Sequence, residues 1–389
     1  MSFYIEEFMR TDITFREGLE ILEMVREAGY TGIGDFYHQA LRHLNMRLPD
    51  IRTREDRENA EASAEIIFRG LAAERHGEAA QDLWHIIEFF NVLRDMNANT
   101  GIAMREALIA LGQVQVGQTH FVPHVVRLLG DLNTRPIGDP ETRRRVQRGV
   151  TGAVSALEAF GHIDGFRPIF DASVRGYDTE ISNVARDALQ NIVEDPADAI
   201  IAIIRDPSNN PPRKLRAWEE MLRSRAPDAS MARAAAAALD VGWTFGTSNR
   251  IYQENLATMR KSAIDTIRDF GAADESVYFN LRRSYDRNFV SPAPDYIEIL
   301  KTFDALAALG TDQAVGLLLT FLEELHGRRR VGPWTHRERF VMQQLIPRLA
   351  STGTQNPRVR SVLTTIQRSA DYTAAEQGWA RDALRALGH

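Results

Sequence analysis

The sequence predicts an all-α fold of about ten consecutive helix pairs, running over residues 1–389 as one domain. Three observations predict it. An apolar-x-x-apolar-small pattern recurs, with its first position at Leu22, Phe68, Leu108, Leu157, Leu189, Trp218, Ile267, Leu306, Ile346 and Leu384. Its mean spacing is about 40 residues, the size of a two-helix unit in repeat proteins. Helix-start signatures keep register with it: Thr14 with Glu17, Asp295 with Glu298, Thr335 with Glu338 and Thr373 with Glu376 each sit just upstream of the second helix of a pair. There a side-chain oxygen can accept from the N3 amide while the glutamate returns to the cap amide. No run alternates apolar and polar residues between hairpin turns, so no strands are predicted.

In chain order, the first helices (A) are expected near 2–10, 32–45, 78–94, 121–130, 163–174, 196–205, 228–241, 274–285, 312–326 and 356–368. The second helices (B) are expected near 14–28, 57–74, 102–112, 141–160, 178–193, 213–224, 252–270, 295–309, 337–350 and 374–387. Gly112, Gly161, Gly271, Gly310 and Gly388 follow the second apolar residue of their motifs and are read as helix stops, because glycine enters the left-handed region without a Cβ penalty. Asp195-Pro196, Ser291-Pro292 and Asn356-Pro357 are read as cap-then-proline starts.

The clearest unit is Met104–Asp131. Ala107, Leu108 and Leu111 form one stripe, Gly112 ends it, and Val122, Val125, Val126, Leu128 and Leu129 form a second stripe that ends at Gly130–Asp131. This unit resembles a HEAT-type helical repeat. The resemblance covers essentially the whole chain and implies a right-handed α-solenoid of about ten HEAT-like pairs, each burying its stripe against its neighbours. Trp218 is then expected in the shared core. Asp371, Glu376, Gln377, Arg381 and Arg385 are expected on the outward face of the last helix.

Composition narrows the chemistry. The net charge of −6 and pI near 6.0 leave no global basic field to attract nucleic acid. Cysteine is absent, which removes disulfides, thiolate nucleophiles and cysteine-held metal. No stretch approaches the roughly 20 apolar residues of a membrane span, and the first residues lack the basic-then-apolar order of a signal peptide. The expectation is a cytoplasmic protein, or a periplasmic one if a leader has been removed.

No P-loop, nucleophile elbow or dinucleotide fingerprint occurs, so no catalytic residue, metal or cofactor is expected. Glu74, His76, Glu78, Asp82, His85 and Glu88 have metal-ligand chemistry, but the His76-Gly77 turn should scatter them. Pro123 should open a helix and leave His120 outside it, away from His124. Deoxyhypusine hydroxylases, a HEAT-built family, hold iron through His-Glu dipeptides, and this chain has none. Arg143–Arg145 opens a helix, but Asp139 and Glu141 offset its charge.

The loops carry the functional expectation. B-to-A turns are short, whereas several A-to-B loops are long and should share one edge. Three of these combine aromatic residues with arginine: Trp243, Phe245 and Arg250, beside Tyr252; Tyr285, Arg287 and Phe289; and Arg328, Arg329, Arg330, Trp334 and Arg337. Such residues dominate binding energy at protein interfaces. The reading is a non-enzymatic scaffold or adaptor that binds a protein or peptide, with Trp334 either an exposed anchor or folded back onto its own repeat. The alternative is a DNA-binding or DNA-repair protein like the HEAT-like alkylpurine DNA glycosylases, against which the mixed charge of Arg57, Glu58, Glu61 and Glu65 speaks.

Overall fold

The periodic apolar stripes become helices, some started by a side-chain cap and others, such as Ile102–Val114 and Asp228–Thr244, without one. The computed structural model describes residues 2–94 and 101–388, and among the described residues it contains helices and no strand. By internal packing the chain divides into two units, Met1–Ala199 and Ile200–His389, where the sequence is read as one array.

The first unit holds α1 (Ser2–Phe8), α2 (Phe15–Glu27), α3 (Gly34–Arg47), α4 (Arg54–Glu74), α5 (Ala80–Phe89), α6 (Ile102–Val114), α7 (Val122–Thr134), α8 (Pro140–Phe160), α9 (Phe166–Val174) and α10 (Thr179–Asn191). Odd and even helices pair in order. The even ones also pack in succession, α2 on α4, α4 on α6, α6 on α8 and α8 on α10. Leu22, Phe68, Leu108 and Leu157 of the recurring pattern are buried.

α11 (Ala197–Arg205) has residues on both sides of the division. The second unit continues with α12 (Pro211–Arg223), α13 (Asp228–Thr244), α14 (Arg250–Phe270), α15 (Ser276–Val290), α16 (Tyr296–Leu309), α17 (Asp312–Val331), α18 (His336–Ser351), α19 (Pro357–Arg368) and α20 (Ala374–Ala386). Here α12, α14, α16, α18 and α20 pack in succession, and so do α13, α15, α17 and α19. Trp218 is fully buried and donates its indole N–H to Ser262 Oγ at 2.7 Å.

The capping signatures act as expected at Thr14, Thr335 and Thr373, where both halves of the capping box form, and Asp295 accepts from the Glu298 amide. Gly161 and Gly310 close α8 and α16 at φ 66° and 57°, left-handed values that a Cβ would oppose.

Four local expectations are corrected. Gly112 does not stop α6, which runs on to Val114. It is instead a contact point, since a Cβ there would stand 2.9 Å from Ala156 Cα. α7 likewise passes through Gly130 to Thr134. Ser291-Pro292 lies in a turn, and Asp295 caps the following helix. Glu376 faces inward at 1% exposure, because its carboxylate closes the Thr373 cap and also takes an arginine from α18.

Candidate functional site

The three arginine-and-aromatic segments all fall in the second unit, and they are less loop than the sequence implies. Arginine and aromatic residues continue a helix readily, and cations are favoured in its last turn. α17 therefore carries Arg328, Arg329 and Arg330, and α15 carries Tyr285, Arg287 and Phe289. The irregular stretches shrink to 245–249, 291–295 and 332–335.

The aromatic rings turn inward. Trp334 is 5% exposed, donates its N–H to the Leu325 carbonyl at 2.8 Å and meets the Tyr372 ring edge-on. Of the two expectations for Trp334, the exposed anchor is corrected: the four-residue loop folds the indole back onto α17 and against Tyr372 between α19 and α20. Tyr285 is buried between Phe289, Phe303 and Phe321, and burial pushes its phenol well above its usual value. Trp243 is half-buried, donates to Ser284 Oγ at 2.8 Å and lies under the Arg260 guanidinium. Phe245 is half-buried beside the Lys214 ammonium. Buried Lys214, absent from the sequence reading, donates to the Ile204 and Asp206 carbonyls, and burial lowers its pKa.

The arginines divide into two groups. Arg329 is held over Trp334 and Tyr372. Arg337 donates to the Phe289 carbonyl at 2.7 Å, which ties the last turn of α15 to the start of α18. Arg250, Arg287, Arg328 and Arg330 are exposed. Arg250 pairs with Glu254, and Arg328 sits over the Phe289 ring and 3.5 Å from Glu338.

What the structure brings together is Phe289, Arg328 and Arg337. They line a groove of about 630 Å³ with Val290, Tyr296, Thr335, His336 and Glu338. Val290 is 69% exposed at its rim, and Tyr296 packs edge-on against Phe340. Trp243, Phe245 and Arg250 do not line this groove. Sequence reasoning missed Val290, Tyr296 and His336; the one available signal was an apolar residue at the very end of α15, beyond its core stripe.

The first unit contains a second assembly. Of the acidic and histidine set around residue 80, His76 and Glu78 come together with His38, which the sequence reading did not include. Asp82 reaches His38 Nε2 at 2.9 Å. Glu74 instead accepts from the Gly32 amide, and Glu88 lies 3.8 Å from Arg94. His85 is outside the group of His38, His76 and Glu78; it lines an adjoining cleft with Met9, Met46 and Asp82. His120 precedes α7 as expected, and the rings of His120 and His124 are 6.3 Å apart, both exposed.

No helix among the described residues is long and apolar enough to cross a membrane. No family model matches the chain, and no curated protein does. Among solved structures, an engineered protein aligns over 99% of both chains at 15% identity with a TM-score of 0.34. A chain from work on a phosphorylation switch controlling the interaction between cadherin and beta-catenin aligns over 99% of this chain and 94% of its own, at 11% identity and a TM-score of 0.37.

Proposed function

We propose that the chain is a HEAT-like, right-handed α-solenoid of about ten pairs that serves as a non-enzymatic scaffold. In this reading it takes an acidic, extended peptide segment of a partner protein in the groove between the ends of α15, α17 and α18. The fold part is supported by the order of packing within each unit, in which helices pair along the chain and each even-numbered helix packs on the next, α2 to α10 in the first unit and α12 to α20 in the second; repeat arrays bury their stripes in this way. The single observation that carries the binding part is the pairing of an exposed apolar rim residue, Val290, with the cationic Arg328 and Arg337 around Phe289. Apolar contact supplies affinity, and guanidinium groups select carboxylates by forked hydrogen bonds.

The test is capture from native lysate with and without nuclease, followed by titration of the captured segment or of an acidic model peptide. Val290→Asp and Arg328→Glu should each weaken binding by roughly 2 kcal/mol, the size of a hot-spot residue, with unchanged melting. Trp334→Ala should instead cost about 3–5 kcal/mol of stability, as for other buried tryptophans. Nuclease-sensitive capture would replace this reading with the DNA-binding one. Capture indifferent to both groove variants would remove the site.

A further inference from the structure

We propose that His38, His76 and Glu78 form a binding site for a divalent transition metal ion of the zinc type, with Asp82 as a positioning residue. The site lies wholly in the first unit and is independent of the groove. His38 comes from the second turn of α3, while His76 and Glu78 come from the turn between α4 and α5.

The geometry points to a cation. His38 Nδ1 and His76 Nε2 face each other at 3.3 Å. Two imidazoles on a tetrahedral zinc, with Zn–N bonds of about 2.0–2.1 Å, hold their nitrogens about 3.3–3.4 Å apart. A direct N–H···N hydrogen bond at 3.3 Å is the metal-free arrangement of the same atoms. A carboxylate oxygen of Glu78 completes a set of three ligand atoms within 4.8 Å of one another. Two imidazoles and one carboxylate leave a fourth tetrahedral position, as in zinc sites that keep a water. Asp35 Oδ1, 3.7 Å from His76 Nε2 on the first turn of α3, is a further oxygen within reach.

The surroundings fit a ligand role for His38. A carboxylate only accepts, so the 2.9 Å contact with Asp82 Oδ2 puts the proton on His38 Nε2 and leaves the Nδ1 lone pair aimed at His76. This is the carboxylate–histidine–metal arrangement that fixes the tautomer and the ring orientation. Asp82 is itself held, since Arg42 Nε donates to the same oxygen at 3.2 Å and Asn45 donates to its carbonyl at 3.0 Å.

The backbone brings His76 into place. Arg75 adopts a left-handed conformation at φ 49°, the one non-glycine residue with positive φ among the described residues, and turns the chain out of α4. Gly34 then admits the imidazole, for a Cβ there would stand 2.8 Å from His76 Nδ1. Binding would tether α3 to the α4–α5 turn and would require His76 to carry its proton on Nδ1, so that Nε2 is free to ligate.

The experiment uses the full chain, stripped with chelator and titrated with Co²⁺, following the visible absorption of four-coordinate cobalt. Zn²⁺ then displaces the cobalt, and the zinc-loaded protein is weighed by elemental analysis. The expected result is one ion per chain and a melting temperature raised by zinc. Asp82→Asn should weaken binding about 10–100-fold, the usual loss for an outer-shell partner, while the metal-free protein melts as before; Asp82→Glu should restore part of it. His38→Gln and His76→Gln, judged folded by circular dichroism, should lose more than that. His120→Ala should change nothing. Absence of stoichiometric cobalt uptake would overturn the proposal, as would uptake that survives in the His38→Gln/His76→Gln double variant.

Discussion

The α6–α8 contact of the first unit and the contacts between successive even-numbered helices of the second are closed in different ways. In the first, the α6–α8 contact is made by backbone against backbone: a Cβ at Gly152 would stand 2.8 Å from the Arg105 carbonyl oxygen, and one at Gly112 would meet Ala156. In the second, charged pairs span the same kind of contact. Arg260 grips Glu298 with two bonds of 2.9 and 3.0 Å, Lys261 pairs with Asp295, Lys301 with Asp265, Arg348 with Asp304, and Arg339 with Glu376. A glycine contact works by shape and dispersion and tolerates no added atom. An ion pair is directional and fixes register, but only a buried one resists salt. One helical arrangement is thus reached by two physical routes.

The sharpest way to break this comparison is at the most buried pair. Glu298 is fully buried, and Arg260 is its partner while also stacking on Trp243 at 3.8 Å. Arg260→Ala strands a buried carboxylate and should cost about 3–5 kcal/mol in urea unfolding, with much of the loss recovered when Glu298→Leu is added. A cost near that of an exposed pair, about 1 kcal/mol or less, would mean that charge does not hold this unit together.

The glycine route is tested by a single methyl group. Gly152→Ala forces α6 and α8 apart, because the atoms it would strike are main-chain, and should destabilise by about 1–3 kcal/mol. Gly130→Ala, also mid-helix but with nothing within 4 Å of the new atom, should stabilise by up to about 1 kcal/mol. If the two variants behave alike, close approach is not what joins the first unit.

A smaller effect should be common to both units. His43 in the first and His326 in the second both have pKa values lowered, in each case chiefly by burial. Their folded pKa lies below the usual value of 6.5, so between the two values the unfolded chain holds more protons. Their contribution is complete above pH 6.5 and is lost as pH falls through that window. Unfolding midpoints should therefore fall on acidification below it, and His43→Phe should flatten part of the slope. A midpoint indifferent to pH there would remove histidine burial as a factor.

Sequence alone determined the positions of the helices, because each start is a local matter. Thr335 reaches its own N3 amide, and an apolar stripe repeats every three or four residues whatever it will touch. It also marked Phe289, Arg328 and Arg337 as neighbours in chemistry. Only tertiary structure decided which of the marked groups face solvent. Trp334 and Tyr285 read as interface residues by type, yet a ring can be satisfied equally inside the helix stack, and here Leu325 and Phe321 satisfy them. The same limit hid the partners of two cap-pattern glutamates. Glu298 and Glu376 are legible as cap-pattern residues, but their carboxylates' arginine partners lie 38 and 37 residues away, and only Glu376 also returns to its cap amide. Nor could any local pattern join His38 to His76, which is likewise 38 residues distant. Contacts at that separation depend on how one helix pair stacks on the next, and packing angle and register are properties of two surfaces together, not of either segment.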